Sequence, residues 1–111
     1  MQNPENCKVT FSLVIYKQDI SEIRKVLQSI LLYKHEKRIF VVDNSPADYD
    51  ASQLCQMDAS IIYKHLPQNV GFGKAHNIAI AEAAKLNSQF HVIVNPDIHY
   101  ATDVVEPMLH Y

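Results

Sequence analysis

The chain has 111 residues, of which 48% are hydrophobic and 20% charged, a composition typical of a folded domain and unlike that of a disordered chain. Its formal net charge is −2 and its basic residues are spread along the sequence, so a surface for nucleic acid is not expected. The apolar runs are too short to cross a membrane and the N-terminus lacks a secretory signal, which predicts a cytoplasmic protein without a transmembrane segment.

Cysteine and glycine usage add two expectations. Cys7 and Cys55 have neither metal-ligand nor redox spacing and are predicted to be ordinary reduced thiols. Average usage would give about eight glycines, whereas the chain has two, Gly71 and Gly73, in the same loop. This placement predicts a special backbone conformation in that loop. No repeat or linker divides the sequence, so residues 1–111 are predicted to form a single domain.

The first half of the chain reads as strand, helix and strand. Residues 9–16 are rich in β-branched and aromatic side chains and predict a buried strand. Asp19 then offers an N-cap with Glu22 at capping-box spacing, and apolar residues at helical spacing continue to about residue 33. Residues 38–42 predict a second strand, which ends at an Asp-Asn-Ser-Pro turn signal.

The second half continues this alternation. Residues 60–65 predict the third strand, after a stretch for which a short helix is one interpretation. Residues 74–86 predict an alanine-rich helix whose small side chains would let it lie close to a sheet. Residues 90–94 predict the fourth strand. A last helix is predicted from about Asp103, and Pro107 would interrupt it or begin a new one.

Strands that alternate with helices form βαβ units, and the sequence therefore predicts an α/β fold. The expected architecture is a Rossmann-like, mostly parallel sheet with helices on both faces. In open sheets of this kind, ligands bind outside the carboxyl ends of the strands. Polar or conformationally special residues follow all four predicted strands, at positions 16–18, 43–44, 69–73 and 95–97. The functional site is therefore predicted at this edge.

Each motif at this edge allows two interpretations. Asp43 and Asn44 carry groups that could bind a base or a ribose, but taken alone they favour an Asx turn. Residues 69–73 match neither the dinucleotide fingerprint nor the Walker pattern, and they indicate a phosphate-binding loop or a plain loop-to-helix turn. Asn95 and Asp97 could hold Mg²⁺, although out of context a turn at the intervening proline is the simpler explanation.

No signature of covalent catalysis accompanies these motifs. The chain lacks a G-x-S-x-G elbow, and Cys55 has no catalytic motif around it. The histidines at 35, 65, 76, 91 and 110 lack metal-ligand spacing, which predicts structural roles at the surface or in partly buried places. The candidate chemistry is thereby confined to the edge of the sheet.

In this order and spacing, the motifs resemble the N-terminal half of a family-2 glycosyltransferase with the GT-A fold. The resemblance covers roughly residues 9–110 and rests on four segments, at residues 9–16, 39–45, 69–77 and 92–98. The V-D-N-S and N-P-D forms of the motifs are similar to the rhamnosyltransferase-like branch, which often uses dTDP-sugars.

The resemblance implies roles for individual residues. Asp43 matches the carboxylate that contacts the nucleotide base, and Asn44 stands where many members have a second Asp. Asn95 and Asp97 match the ends of the D-x-D motif, whose Mg²⁺ or Mn²⁺ bridges the diphosphate of the donor. Because Asn stands at both 44 and 95, weak metal binding is expected, with Asp97 as the principal ligand. The donor-binding residues implied in this way are Tyr16, Asp43, Asn44, Asn69, Gly71, Asn77 and Asn95.

The resemblance also implies a reaction. It is the inverting transfer of a sugar from a dTDP- or UDP-sugar to a hydroxyl of a glycan or lipid-linked acceptor in polysaccharide synthesis. In relatives the general base and the acceptor surface lie downstream of the D-x-D motif, so this chain is expected to supply the donor-binding half and to be inactive alone. A peripheral place at the inner face of the membrane is the alternative to a free cytoplasmic one, and an uncovered apolar face would allow self-association.

Two other functions stay open at this point. A non-catalytic nucleotide-binding or interaction module of the same fold would agree with the two Asn substitutions and with the short chain. A nucleotidyltransferase also uses an α/β sheet and a divalent metal, but it usually has a glycine-rich basic loop soon after the first strand. Residues 17–19 contain no glycine, so this function ranks last.

Overall fold

The computed structural model describes residues 8–95. The strands in chain order are β1 (Val9–Ile15), β2 (Lys37–Asp43), β3 (Ile61–His65) and β4 (Phe90–Val94). The helices are α1 (Ile20–Leu31) and α2 (Phe72–Lys85), with a 3₁₀ helix at Ser52–Gln56. The strands form one sheet in the order β3-β2-β1-β4, and every neighbouring pair is parallel. The predicted α/β fold with a mostly parallel sheet is confirmed.

Helix α1 covers one face of the sheet through the larger part of the apolar core. Asp19 caps this helix as predicted, because its carboxylate accepts a hydrogen bond from the Ser21 backbone N–H at 2.9 Å. The predicted apolar stripe of α1 is buried against alternate side chains of the strands. The central members of this cluster are Phe11, Leu13, Ile23, Val26, Leu27, Ile30, Ile39 and Val41.

Helix α2 covers the opposite face, so the sheet has a helix on each side as predicted. It begins at Phe72 rather than at the predicted residue 74, because Gly71 adopts the positive φ that lets the chain turn directly into the helix. Its buried side carries small side chains, which pack against the β1 and β2 residues of this face. This smaller cluster contains Val14, Phe40, Val42, Leu66, Ala75, Ala79 and Ala83.

The remaining predicted features are placed in part. The ambiguous stretch before β3 forms the 3₁₀ helix, whose Leu54 is fully buried on the α1 side. Cys55 carries a free, exposed thiol. The last predicted helix, from about Asp103, and Cys7 lie outside the described residues. Within residues 8–95, no helix is both long enough and apolar enough to span a membrane.

A line of polar side chains lies between α2 and the sheet. The Ser12 hydroxyl of β1 is 2.7 Å from Nδ1 of His76 and 3.0 Å from Nε2 of His91. Nδ1 of His91 in turn lies 2.7 Å from Oγ1 of Thr10, which is fully buried. The Nε2 atom of His76 is buried and has no hydrogen-bond partner among the described residues. His76 is 3% exposed, so it is more deeply buried than the surface or partly buried place predicted for it.

Acidification should destabilise the fold through these two histidines. Burial lowers the pKa of His76, and burial followed by the charge of His76 lowers the pKa of His91. The unfolded chain therefore binds protons at a higher pH than the folded chain. The free energy of unfolding should be constant above about pH 7 and fall as the pH drops below the ordinary histidine pKa of about 6.5.

The loss should not exceed about 1.4 kcal/mol per histidine per pH unit, and urea unfolding between pH 7.5 and pH 5 measures it. A His76→Gln/His91→Gln double variant should lose less stability than the wild type over the same range. Wild-type stability that stays constant down to pH 5 would contradict this account of the two buried rings.

Candidate functional site

A cleft of about 370 Å³ lies at the carboxyl edge of the sheet. The segments that follow all four strands contribute to it, which is the arrangement expected for ligand sites of open parallel sheets. Its lining residues are Val14, Ile15, Tyr16, Gln18, Asn44, Asn69, Gly71, Phe72 and Asn95. The cleft therefore unites Tyr16, Asn44, Asn69, Gly71 and Asn95 from the predicted donor-binding set.

The described lining of the cleft mixes polar and apolar side chains and contains no charged group. Among its described lining residues, four side chains are amides, and each amide offers both hydrogen-bond donors and an acceptor. Two aromatic rings, those of Tyr16 and Phe72, are 46% and 56% exposed and present faces on which a planar group could stack. A flat, polar, hydrogen-bonding group such as a nucleobase fits this chemistry.

Asp43 lies at the end of β2 and does not line the cleft. It is fully buried, and both of its carboxylate oxygens accept hydrogen bonds within the chain. Oδ1 accepts from the Ser45 backbone N–H at 2.8 Å, and Oδ2 accepts from the Tyr63 hydroxyl at 2.5 Å. The first of these bonds is the Asx turn that the sequence allowed as an alternative. The base contact implied by the resemblance stays a prediction.

Two tyrosines near Asp43 are kept in the protonated form. Burial, followed by the charge of Asp43, raises the pKa of Tyr49 to about 12. Burial and the hydrogen bond to Asp43 raise the pKa of Tyr63 still further. The Tyr49 hydroxyl donates to the backbone carbonyl of Gln18 at 2.7 Å. Both phenols therefore remain donors at neutral pH, and Tyr49 fixes the segment after β1 that lines the cleft.

Helix α2 begins at the cleft without a side-chain cap. Gly71 is its N-cap residue, with φ 88° and ψ 162°, and the side chain of Asn69 accepts the Gly71 N–H at 2.9 Å. The first N–H groups of a helix have no acceptor within the helix, and the helix dipole is positive at this end. The N-terminus of α2 therefore has the features that accommodate an anion such as a phosphate.

The conformation of Gly71 can be tested against that of Gly73. A Cβ atom at either position would meet no other atom within 4 Å, so the two replacements differ only in backbone conformation. Gly71 occupies a region that other residues avoid, and Gly71→Ala should lower the free energy of unfolding by about 2 kcal/mol. Gly73→Ala lies within α2 and should raise it by up to about 1 kcal/mol. Equal effects of the two variants in urea unfolding would contradict this reading.

The other predicted residues are placed differently. Asn77 is exposed on α2 and is not among the residues that line the cleft, and Asp97 lies outside the described part of the chain. Gln18 and Phe72 line the cleft and lie within the predicted edge segments, but the predicted donor-binding set omitted them. Their positions in the sequence could have identified them, because Gln18 follows the first predicted strand and Phe72 lies between the two glycines.

The described residues do not by themselves form a site for a divalent cation. Mg²⁺ prefers carboxylate oxygens, whereas Asn95 offers a neutral amide oxygen and the Asp43 carboxylate is occupied within the protein. Residues 8–95 also contain no cluster of three or more His, Cys, Asp or Glu side chains that could hold a metal ion. The predicted metal site therefore depends on Asp97.

The sequence profile of glycosyl transferase family 2 matches residues 12–111, which is most of the chain. The chain belongs to glycosyl transferase family 2. No curated protein matches the sequence at a significant level. Among solved structures, this family-2 chain is similar to the crystal structure of S. aureus TarS 1-349, with a TM-score of 0.73 and 18% sequence identity.

The match with TarS covers 93% of the family-2 chain and 31% of the TarS chain. At this identity the likeness shows the fold, and it confirms the predicted GT-A architecture. The chain therefore spans about a third of the length of the TarS structure. The cleft lies in this shared fold, at the edge where the resemblance had assigned the donor.

Proposed function

We propose that this chain forms the donor-binding part of an inverting glycosyltransferase, of the rhamnosyltransferase-like branch, whose cleft holds a dTDP- or UDP-sugar. One observation carries the proposal: in a family-2 chain, the segments after all four strands together line one cleft at the carboxyl edge of the sheet. The proposed acceptor is a hydroxyl of a glycan or lipid-linked molecule in polysaccharide synthesis, at the cytoplasmic side of the membrane.

The nucleotide is proposed to lie with its base among the amides and its diphosphate near α2. Tyr16 and Phe72 offer exposed ring faces for stacking, and the side-chain NH₂ groups of Gln18 and Asn69 are donors for the base edge or the ribose. The uncapped start of α2 favours the negative charge of the diphosphate. This orientation leaves the sugar toward Asn95, where the segment after β4 leaves the sheet.

The proposed reaction is a displacement at the anomeric carbon. The acceptor oxygen forms a bond to that carbon as the bond to the diphosphate oxygen breaks, and the configuration inverts. A general base takes the acceptor proton, and the nucleoside diphosphate departs with the electron pair of the broken bond. We propose that this base lies C-terminal to the described residues. The part played by residues 8–95 is to bind and orient the donor.

Mg²⁺ or Mn²⁺ enters the proposal through Asp97. The metal would offset charge on the departing diphosphate. Asn95 adds only a neutral amide oxygen, so we expect weak metal binding that the Asp97 carboxylate dominates.

Titration calorimetry with UDP, dTDP and GDP, each with and without Mg²⁺ or Mn²⁺, tests the proposal. We expect UDP or dTDP to bind more tightly than GDP, and the metal to increase affinity modestly. Asp97→Ala should remove the metal-dependent increase and leave metal-free binding unchanged. A folded chain that binds none of the three nucleotides would overturn the proposed function, and an unchanged metal effect in Asp97→Ala would overturn the assignment of the ligand.

A non-catalytic nucleotide-binding module of the same fold is the second candidate. The observation in its favour is that the described lining of the cleft contains amides and no carboxylate. The two candidates predict the same nucleotide titration and differ in chemistry. Sugar transfer by the full-length gene product would exclude the second candidate, whereas tight nucleotide binding without any transfer would favour it.

A further inference from the structure

The side chain of Asn44 is bound to the loop that precedes α2. Its Oδ1 atom accepts the backbone N–H of Val70 at 3.2 Å, and its Nδ2 atom donates to the backbone carbonyl of Gly71 at 3.3 Å. Asn44 is 4% exposed, although it contributes to the lining of the cleft. One side-chain amide therefore joins the end of β2 to the backbone of two successive residues in the loop that follows β3.

Ser45 makes the corresponding contact with the segment after β1. Its hydroxyl oxygen accepts the backbone N–H of Lys17 at 2.8 Å, and its backbone carbonyl accepts from Nε2 of His65 at 2.7 Å. Lys17 has a φ of 59°, a conformation that a residue with a side chain adopts only when its surroundings hold it there. Ser45 is 3% exposed, so the hydrogen bond to this strained residue comes from a buried side chain.

We propose that Asn44 and Ser45 act as a clamp that positions the two loops on either side of the cleft. Asn44 is in this account a positioning residue, since its amide is engaged by Val70 and Gly71 rather than directed at a ligand. The part of this inference that concerns nucleotide affinity rests on the proposed function; the part that concerns the loops does not.

The clamp explains why an amide suits position 44. The two contacts need one acceptor and one donor at the same planar group, which an asparagine supplies and an ionised aspartate does not. A carboxylate would keep the bond from the Val70 N–H but would place a negative oxygen against the Gly71 carbonyl. From sequence, Asn44 was interpreted as the loss of a negative charge from a metal site. In the structure, its amide supplies a hydrogen-bond donor to the loop.

Hydrogen exchange of the nucleotide-free chain tests the clamp directly. Asn44→Ala should accelerate exchange of the Val70 amide roughly tenfold, the effect of losing one hydrogen bond. Ser45→Ala should accelerate exchange of the Lys17 amide by a similar factor and leave the Val70 amide nearly unchanged. Gln68→Ala, an exposed site in the same loop, is the matched control and should alter neither amide. Unchanged exchange at Val70 in Asn44→Ala would overturn the clamp.

Asn44→Asp keeps the volume of the side chain and makes the test depend on protonation. At pH 7.5 the loop around Gly71 should exchange several-fold faster than in the wild type. Toward pH 5 the fraction of protonated carboxyl rises, and protection should return in part because that form again has a donor. The wild type at each pH is the reference, since the neighbouring Asp43 and His65 are present in both proteins. If the ratio of loop exchange rates between Asn44→Asp and the wild type does not change with pH, the proposed role of the Asn44 donor is wrong.

Nucleotide titration separates positioning from direct contact. If Asn44 positions the loop, Asn44→Ala should weaken the binding of UDP, dTDP and GDP by the same factor. A changed order of preference among the three would show a base contact and overturn the positioning role. If the wild type binds none of them, the proposed function fails, while the exchange measurements still decide whether the clamp exists.

Discussion

Asp43→Ala is expected to lower the free energy of unfolding by about 3 kcal/mol. The carboxylate is fully buried, and its removal leaves the backbone N–H of Ser45 and the hydroxyl of Tyr63 without their acceptor. Ser45 is itself 3% exposed, so water cannot readily replace the lost bond. Urea unfolding followed by circular dichroism measures the loss.

Asp43→Asn is the matched control for this prediction. Its amide oxygen can still accept from the Ser45 N–H, so the expected loss is smaller, about 1 kcal/mol. If the carboxylate serves the fold, both variants should lose stability in this order. If it instead contacts the nucleotide base, as the resemblance implies, Asp43→Asn should keep wild-type stability and lose affinity for UDP. That second pattern would contradict a supporting role.

Ser12→Ala should lower the free energy of unfolding by about 2–3 kcal/mol. The Ser12 hydroxyl is the partner of Nδ1 of His76 and of Nε2 of His91, and Nε2 of His76 already lacks a partner in the described chain. The variant would leave the buried His76 ring without a hydrogen bond to any residue in the range 8–95. Since the Phe72 ring packs edge-on against His76, with 4.4 Å between ring centres, the start of α2 at the cleft should loosen as well.

A double variant distinguishes this cause from the loss of packing. Ser12→Ala/His76→Leu removes the hydroxyl together with one of its two histidine partners, and replacing both partners of a hydrogen bond by apolar groups costs little. The double variant should therefore lose clearly less stability than the sum of its two single variants. Additive losses would show that Ser12 and His76 stabilise the fold independently.

Local pattern was sufficient to predict the frame of the molecule. The helical spacing of Ile23, Val26, Leu27 and Ile30 identified the buried face of α1, and Asp19 marked its start. Short apolar runs separated by helices predicted the parallel sheet. The order of strands and helices indicated that the site lies at the carboxyl edge of this sheet. Each of these inferences uses neighbours within a few residues, and the physics of periodicity and capping acts over that range.

The interior of the site was not predictable in the same way. Asp43 and Asn44 are adjacent in sequence, yet one is buried against Tyr63 and the other holds the loop at Val70 and Gly71. These partners lie some twenty to thirty residues away along the chain. A side-chain amide or carboxylate after a strand indicates polar chemistry, but only the packed fold determines whether it faces a ligand or another segment.

The burial of the two histidines was likewise not predictable from local sequence. His76 lies on the α2 face that alanines otherwise occupy, and its burial depends on Ser12, which is 64 residues away along the chain. From sequence alone, a histidine on an alanine-rich helix is predicted to lie at the surface. The sequence showed Thr10 and Ser12 only as polar residues within an apolar strand, and it did not show that their hydroxyls lie within hydrogen-bond distance of the two histidine rings.

The central claim, that the cleft at the carboxyl edge binds the nucleotide, is tested most directly by a ¹H–¹⁵N correlation titration of the 12.7 kDa chain with UDP and dTDP. We predict saturable shifts of the Gln18, Asn69 and Asn95 side-chain amides and of the Gly71 backbone amide. A second cleft, of about 300 Å³ near Arg38 at the opposite edge of the sheet, serves as the internal control and should not respond. Shifts confined to that second cleft, or none at saturating nucleotide, would contradict the account.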